Sequence, residues 1–102
     1  MAKFVYVYTG GAMAETPEAQ QESMNAWTAW FAGLDGAVVD IGNPFGEAST
    51  VTSAGSTPGA ASRLGGYSII EADSLDAAAA KAAGCPVIGS GGSVEIYDAL
   101  PM

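Results

Sequence analysis

Residues 64–76 read LGGYSIIEADSLD, and their order of residue types is that of a strand running into a capped helix. Gly65 and Gly66 open the stretch, and Tyr67, Ile69 and Ile70 supply aromatic and β-branched side chains for a strand over 64–72. Asp73-Ser74 offers side-chain oxygens to the first free amides of a helix over about 75–83, whose alanines have high helix propensity and allow close approach to a sheet. Gly84 stands where a C′ glycine ends a helix, with Pro86 shortly after. Beyond Gly89-Ser90-Gly91-Gly92, residues 93–99 (SVEIYDA) read as a last strand.

The first half of the chain follows the same plan. Residues 3–9 (KFVYVYT) form a strand closed by Gly10-Gly11. Thr16-Pro17-Glu18 supplies an N-cap, a proline at the first helical position and an acid in the first turn. Met24, Trp27, Trp30, Phe31 and Leu34 then fall within an arc of roughly 120°, which predicts an amphipathic helix ending near Leu34. Residues 37–41 (AVVDI) form a short strand before Gly42-Asn43-Pro44, residues 49–53 (STVTS) alternate as another, and residues 54–62 are expected to be a mobile loop. The resulting order is a ferredoxin-like βαββαβ plan: an α+β fold with an antiparallel sheet, one domain over residues 1–102.

Composition narrows the function. Three basic residues against eleven acidic ones give a net charge of −8, which repels phosphate backbones and anionic lipid, so neither direct nucleic-acid nor membrane binding is expected. With no histidine and one cysteine, zinc sites, Cys-His dyads, Ser-His-Asp triads and intramolecular disulfides drop out, and neither metal nor cofactor is called for. No apolar window approaches the roughly 18 residues of a membrane span. Lys3, Phe4 to Tyr8 and Ala12-Met13-Ala14 imitate a signal peptide, but the apolar run is shorter than the about 7 to 15 residues required. A cytoplasmic location is expected, in keeping with a single thiol.

The first strand is apolar on both sides. Phe4, Tyr6 and Tyr8 point one way and Val5 and Val7 the other, and Ile69-Ile70 repeats the pattern. Helices on one side leave the second face uncovered, and a second copy is the simplest cover, so a homodimer with sheets packed face to face is expected.

Candidate sites have plainer readings beside them. Cys85 follows a helix C-terminus, where the dipole disfavours a thiolate, and its expected role is the apolar contact of a Schellman motif. Glu71, Asp73 and Asp76 read as helix-start acids rather than cation ligands. Gly89-Ser90-Gly91-Gly92 leads into a strand and lacks a lysine, so it reads as a turn rather than a phosphate cradle. Trp27, Trp30 and Phe31 are core by periodicity, with the Trp30 indole N–H at the margin able to reach a pocket. Asp40 is the odd residue in its strand, either facing water at an edge or paired with a tyrosine such as Tyr6 or Tyr8.

Residues 64–76, followed by Gly84-Cys85-Pro86 and by residues 91–96 (GGSVEI), resemble the YCII-related (YciI-like, DGPF-type) family, and Gly42-Asn43-Pro44-Phe45-Gly46 is similar to its G-x-P-F loop. The resemblance implies a subunit that forms a dimeric α+β barrel. It also implies that the acid/base pair proposed for some members, a histidine in the first helix and an aspartate in an Asp-Pro-Phe segment after the second, is missing. Cys85-Pro86-Val87 stands at the second position. The expected function is binding of a small apolar or aromatic molecule between sheet and helices, with Tyr6, Trp27, Trp30, Asp40, Asn43, Phe45 and Tyr67 as the lining. Cofactor-free catalysis is an open extension of that reading. The alternative is a non-catalytic accessory protein acting through protein contacts, as the association of DGPF-type relatives with sigma-factor systems suggests.

Overall fold

The two longest strands, β1 (Ala2–Thr9) and β5 (Leu64–Ala72), pair antiparallel along their whole length, Phe4 opposite Ile70 and Tyr6 opposite Ser68. They form the centre of a sheet ordered β2-β5-β1-β6, with β2 (Val38–Asp40) and β6 (Ser93–Asp98) at the edges. A computed structural model describes residues 2–10, 15–60, 62 and 64–101; part of the Ala12-Met13-Ala14 imitation of a signal peptide and of the Gly10-Gly11 turn lies outside them. With α1 (Pro17–Gly33) between β1 and β2, and α2 (Leu75–Ala82) between β5 and β6, the architecture is the ferredoxin-like α+β fold. The sheet of the single chain is open rather than closed into a barrel, because β2 and β6 do not meet.

Both helices start where the capping residues place them. Thr16 Oγ1 accepts the Ala19 N–H at 3.1 Å and Ser74 Oγ accepts the Ala77 N–H at 3.1 Å. Their shared face of the sheet carries the core: Phe4, Tyr6 and Tyr8 from β1, Ser68, Ile70 and Ala72 from β5, and Ala78 and Ala82 from α2. Tyr6 is fully buried and its hydroxyl donates to the Ala78 carbonyl, tying sheet to helix. The opposite face presents Val5, Val7, Tyr67 and Ile69, each half-buried, with Tyr97 exposed beside them. A thickness of 19 Å against 44 × 43 Å follows from having a single helix layer on a single sheet.

Three expectations need correction. Residues 54–62 are not simply a loop, since β4 (Gly55–Pro58) pairs with β3 (Ser49–Thr52) in a hairpin. Its hydroxyls replace apolar alternation as the organising signal: Ser49 donates to the Thr57 carbonyl at 3.1 Å and Thr50 to that of Gly59 at 2.8 Å. Secondly, Gly84 does not take the left-handed conformation of a C′ cap. A short helix, α3 (Pro86–Gly89), starts two residues on, and the Schellman motif closes that helix instead, with Gly91 at φ +93°. Gly92 N–H bonds the Val87 carbonyl at 2.8 Å and Gly91 N–H that of Ile88 at 3.1 Å. Thirdly, Cys85 is buried as expected, but as the residue before α3 and not as a Schellman contact.

Candidate functional site

The site grows out of the size of the aromatic side chains on α1. No residue of α1 is buried, and Trp27, Trp30 and Phe31 are its partly buried stripe. The Trp27 ring meets the Tyr8 ring edge-on at 4.9 Å, and the Trp30 ring stacks on Tyr6 at 6.1 Å. Indoles hold a helix axis further from a sheet than alanines do, so a space opens wherever they do not fill it. That space is a groove of about 1250 Å³ running between α1, the loop after β2, the start of β5 and α3. Met24, Trp27 and Phe31 form one wall, Ile41 to Pro44 the other, and Tyr8 with Ser68 the floor.

The loop wall is held by glycines. Gly42 has φ +78°, and a Cβ there would lie 1.8 Å from the Tyr67 carbonyl oxygen, so no other residue fits without moving backbone. At Gly66 a Cβ would come within 3.0 Å of the Asn43 carbonyl oxygen. Phe45 N–H bonds the Gly65 carbonyl at 2.9 Å, and the Phe45 ring stacks on Tyr67 at 5.8 Å. Asp40 Oδ1 accepts the Gly42 N–H at 2.8 Å and so shapes the turn into this loop.

The floor is a chain of hydroxyls. Tyr8 donates to Ser68 Oγ at 2.8 Å, and Ser68 donates to the Ile41 carbonyl at 2.5 Å. The direction is forced, because a carbonyl only accepts. Burial pushes the Tyr8 phenol above its ordinary range, and also raises Tyr6 to about 12 and the Cys85 thiol to about 11. These groups therefore stay protonated at neutral pH and none is poised as a base or thiolate nucleophile. Among the described residues no three His, Cys, Asp or Glu side chains gather as a metal centre would require.

Of the seven residues singled out in the sequence, Trp27, Asn43 and Tyr67 line the groove. Tyr6 and Trp30 lie on its α2 side, the Trp30 N–H donating to the Lys81 carbonyl at 3.2 Å rather than to a pocket. Phe45 and Asp40 support the loop from behind. Tyr8 and Ser68, neither of them among the seven, form the floor, and Met24 and Phe31, core residues by periodicity, are walls. A serine between Tyr67 and Ile69 was the one available signal for the floor, since burial of a hydroxyl requires a partner.

A family model for the YCII-related domain matches residues 2–102. The chain belongs to that family. Comparisons with curated proteins and with solved structures gave no match. In this YCII-related domain the segment after α2 places the Cys85 thiol in the core and Pro86 at the first position of α3, so no carboxylate reaches the groove from there. No helix among the described residues is long and apolar enough to cross a membrane.

Proposed function

We propose that this protein binds a small apolar or aromatic molecule in the groove beneath α1. The observation that carries the reading is the groove itself, about 1250 Å³ and walled by Met24, Trp27, Phe31 and Ile41. Met24 and Ile41 are 64% and 58% exposed, apolar surface at a concave site that a ligand would remove from water. Binding is the activity the residues supply; Tyr8, protonated and held by Ser68, orients a guest without exchanging a proton with it at neutral pH.

A neutral dye, Nile red, tests the reading directly. It is expected to brighten on adding the protein and to lose that response with Ser23→Trp, which fills the groove from α1 without entering the core. Equal brightening by both proteins overturns the assignment. Native mass spectrometry of the purified protein is expected to show a co-purified small molecule.

The subunit is proposed to work as a homodimer, sheet face to sheet face, in the cytoplasm. Val5, Val7, Tyr67 and Ile69 with exposed Tyr97 support it, as an apolar surface that a second sheet would cover. Light scattering that gives a monomer at micromolar concentration overturns the dimer. The second reading, an accessory protein that recruits a basic partner, rests on the charge of −8. It fails if pull-downs return no partner at low salt.

A further inference from the structure

From the direction of the hydrogen bonds around the groove we infer that its ligand is a cationic or neutral aromatic molecule carrying an N–H or O–H donor, of the aryl-alkylamine class, and that aromatic carboxylates are selected against. This rests on the groove being a binding site and names what it selects. Six hydroxyl-bearing residues line it: Tyr67 turns its ring to Phe45, Ser23 stands exposed on α1, and the other four, Tyr8, Thr28, Ser68 and Ser90, each spend their hydrogen inside the protein. Ser68, Ser90 and Thr28 donate to the carbonyls of Ile41, Val87 and Met24, at 2.5, 3.0 and 2.9 Å. Because the Ser68 hydrogen is committed, Tyr8 has to donate to Ser68. What these four oxygens retain is lone pairs. A guest bringing only acceptors, such as a carboxylate, finds no hydrogen from them, whereas an ammonium or amine N–H finds the Tyr8 oxygen at the floor, Ser68 being fully buried behind it. Asn43, at the rim with both an acceptor and a donor, serves either kind.

Charge points the same way. The ionisable side chains lining the groove, tyrosines apart, are Glu22 and Asp35, both carboxylates, and no lysine or arginine is among its described lining. The chain as a whole carries −8. Trp27, Tyr8 and Phe31 add ring faces, which attract a cation and repel an anion.

Three probes of one size separate the possibilities: phenethylamine, phenylacetate and ethylbenzene, titrated by calorimetry and by tryptophan fluorescence. Phenethylamine is expected to bind at least about tenfold tighter than phenylacetate. Tyr8→Phe removes the Tyr8 oxygen as an acceptor and is expected to lower phenethylamine affinity about fivefold relative to that of ethylbenzene. Ser68→Ala releases the Tyr8 hydrogen into the groove, and is expected to narrow or reverse the preference between amine and carboxylate. The wild-type probe series decides the matter even if either variant fails to fold. Ethylbenzene binding with phenylacetate equal to or tighter than phenethylamine overturns the selectivity and leaves the groove reading standing. If none of the three binds, the groove reading fails and the selectivity with it.

Discussion

α2 has eight residues and buries two of them, Ala78 and Ala82, whereas α1 has seventeen and buries none. Both face the same side of the same sheet, so the difference lies in the side chains at the contact. Alanines let α2 settle until the Tyr6 hydroxyl reaches the Ala78 carbonyl. Trp27 and Trp30 carry α1 on their rings, edge-on to Tyr8 and stacked on Tyr6, and the gap left beside them is the groove. One helix closes down on the sheet and the other leaves the groove open beside it, with the Trp30 N–H to Lys81 carbonyl bond joining the two.

The comparison breaks most severely at the wall opposite α1. Gly42→Ala is expected to cost about 3 kcal/mol, combining a left-handed conformation with a backbone clash, and to lower the melting temperature by roughly 15 °C in thermal denaturation. On the α2 side, Ala78→Leu places a large side chain where nothing is exposed and is expected to cost about 2 kcal/mol by urea unfolding. The two substitutions should differ in kind: the first removes the Nile red response, while the second leaves part of it.

Alkaline unfolding sharpens the contrast further. The folded-state values of Cys85 and Tyr6 are raised, to about 11 and about 12, and that of Tyr8 is raised as well. A raised value in an acid that is neutral when protonated means the contribution is complete below the unfolded value, near 9 for the thiol and 10 for the phenols, and is lost as pH rises through the folded one. Stability measured by denaturant is therefore expected to be flat with respect to these groups up to about pH 9 and to fall from there to pH 12. Cys85→Ala is expected to delay the first part of the fall. A smaller effect comes from Trp30→Phe, which removes the bond to the Lys81 carbonyl and is expected to cost about 1 kcal/mol. Smallest is Met24→Ala on the exposed wall, expected to change stability by less than about 0.5 kcal/mol while weakening ligand binding.

Much of the fold was legible because its signals are local. Thr16-Pro17 and Ser74 start helices through bonds three residues long, and the apolar content of residues 3–9 and 64–72 identifies the central strands. The alternation of residues 49–53 shows β3, but its partner β4 is not legible, because Gly55-Ser56-Thr57-Pro58 carries no apolar pattern and is held by bonds such as that from Ser49 to the Thr57 carbonyl. α3 is not legible because four residues have no periodicity to read, and Gly84 and Gly91 are equally plausible C′ glycines until the left-handed conformation of Gly91 separates them. The site was legible in part: Trp27, Asn43 and Tyr67 line the groove, but Tyr6, Trp30, Asp40 and Phe45 hold its surroundings. An aromatic residue signals burial equally well whether it fills a core or faces a cavity, so composition does not separate the two.

The amino-acid order by itself determined the central strands and the two capped helices, the two-sided apolar character of β1, and the absence of histidine chemistry from this YCII-related domain. Those depend on residue type and on neighbours a few positions away. Tertiary structure alone decided that Tyr8, Ser68 and Ile41, separated by 60 and 27 residues, share one hydrogen-bonded floor. It also decided which way the hydrogens on that floor point, because the carbonyl that receives the last of them is brought there only by the folding of β2 against β5.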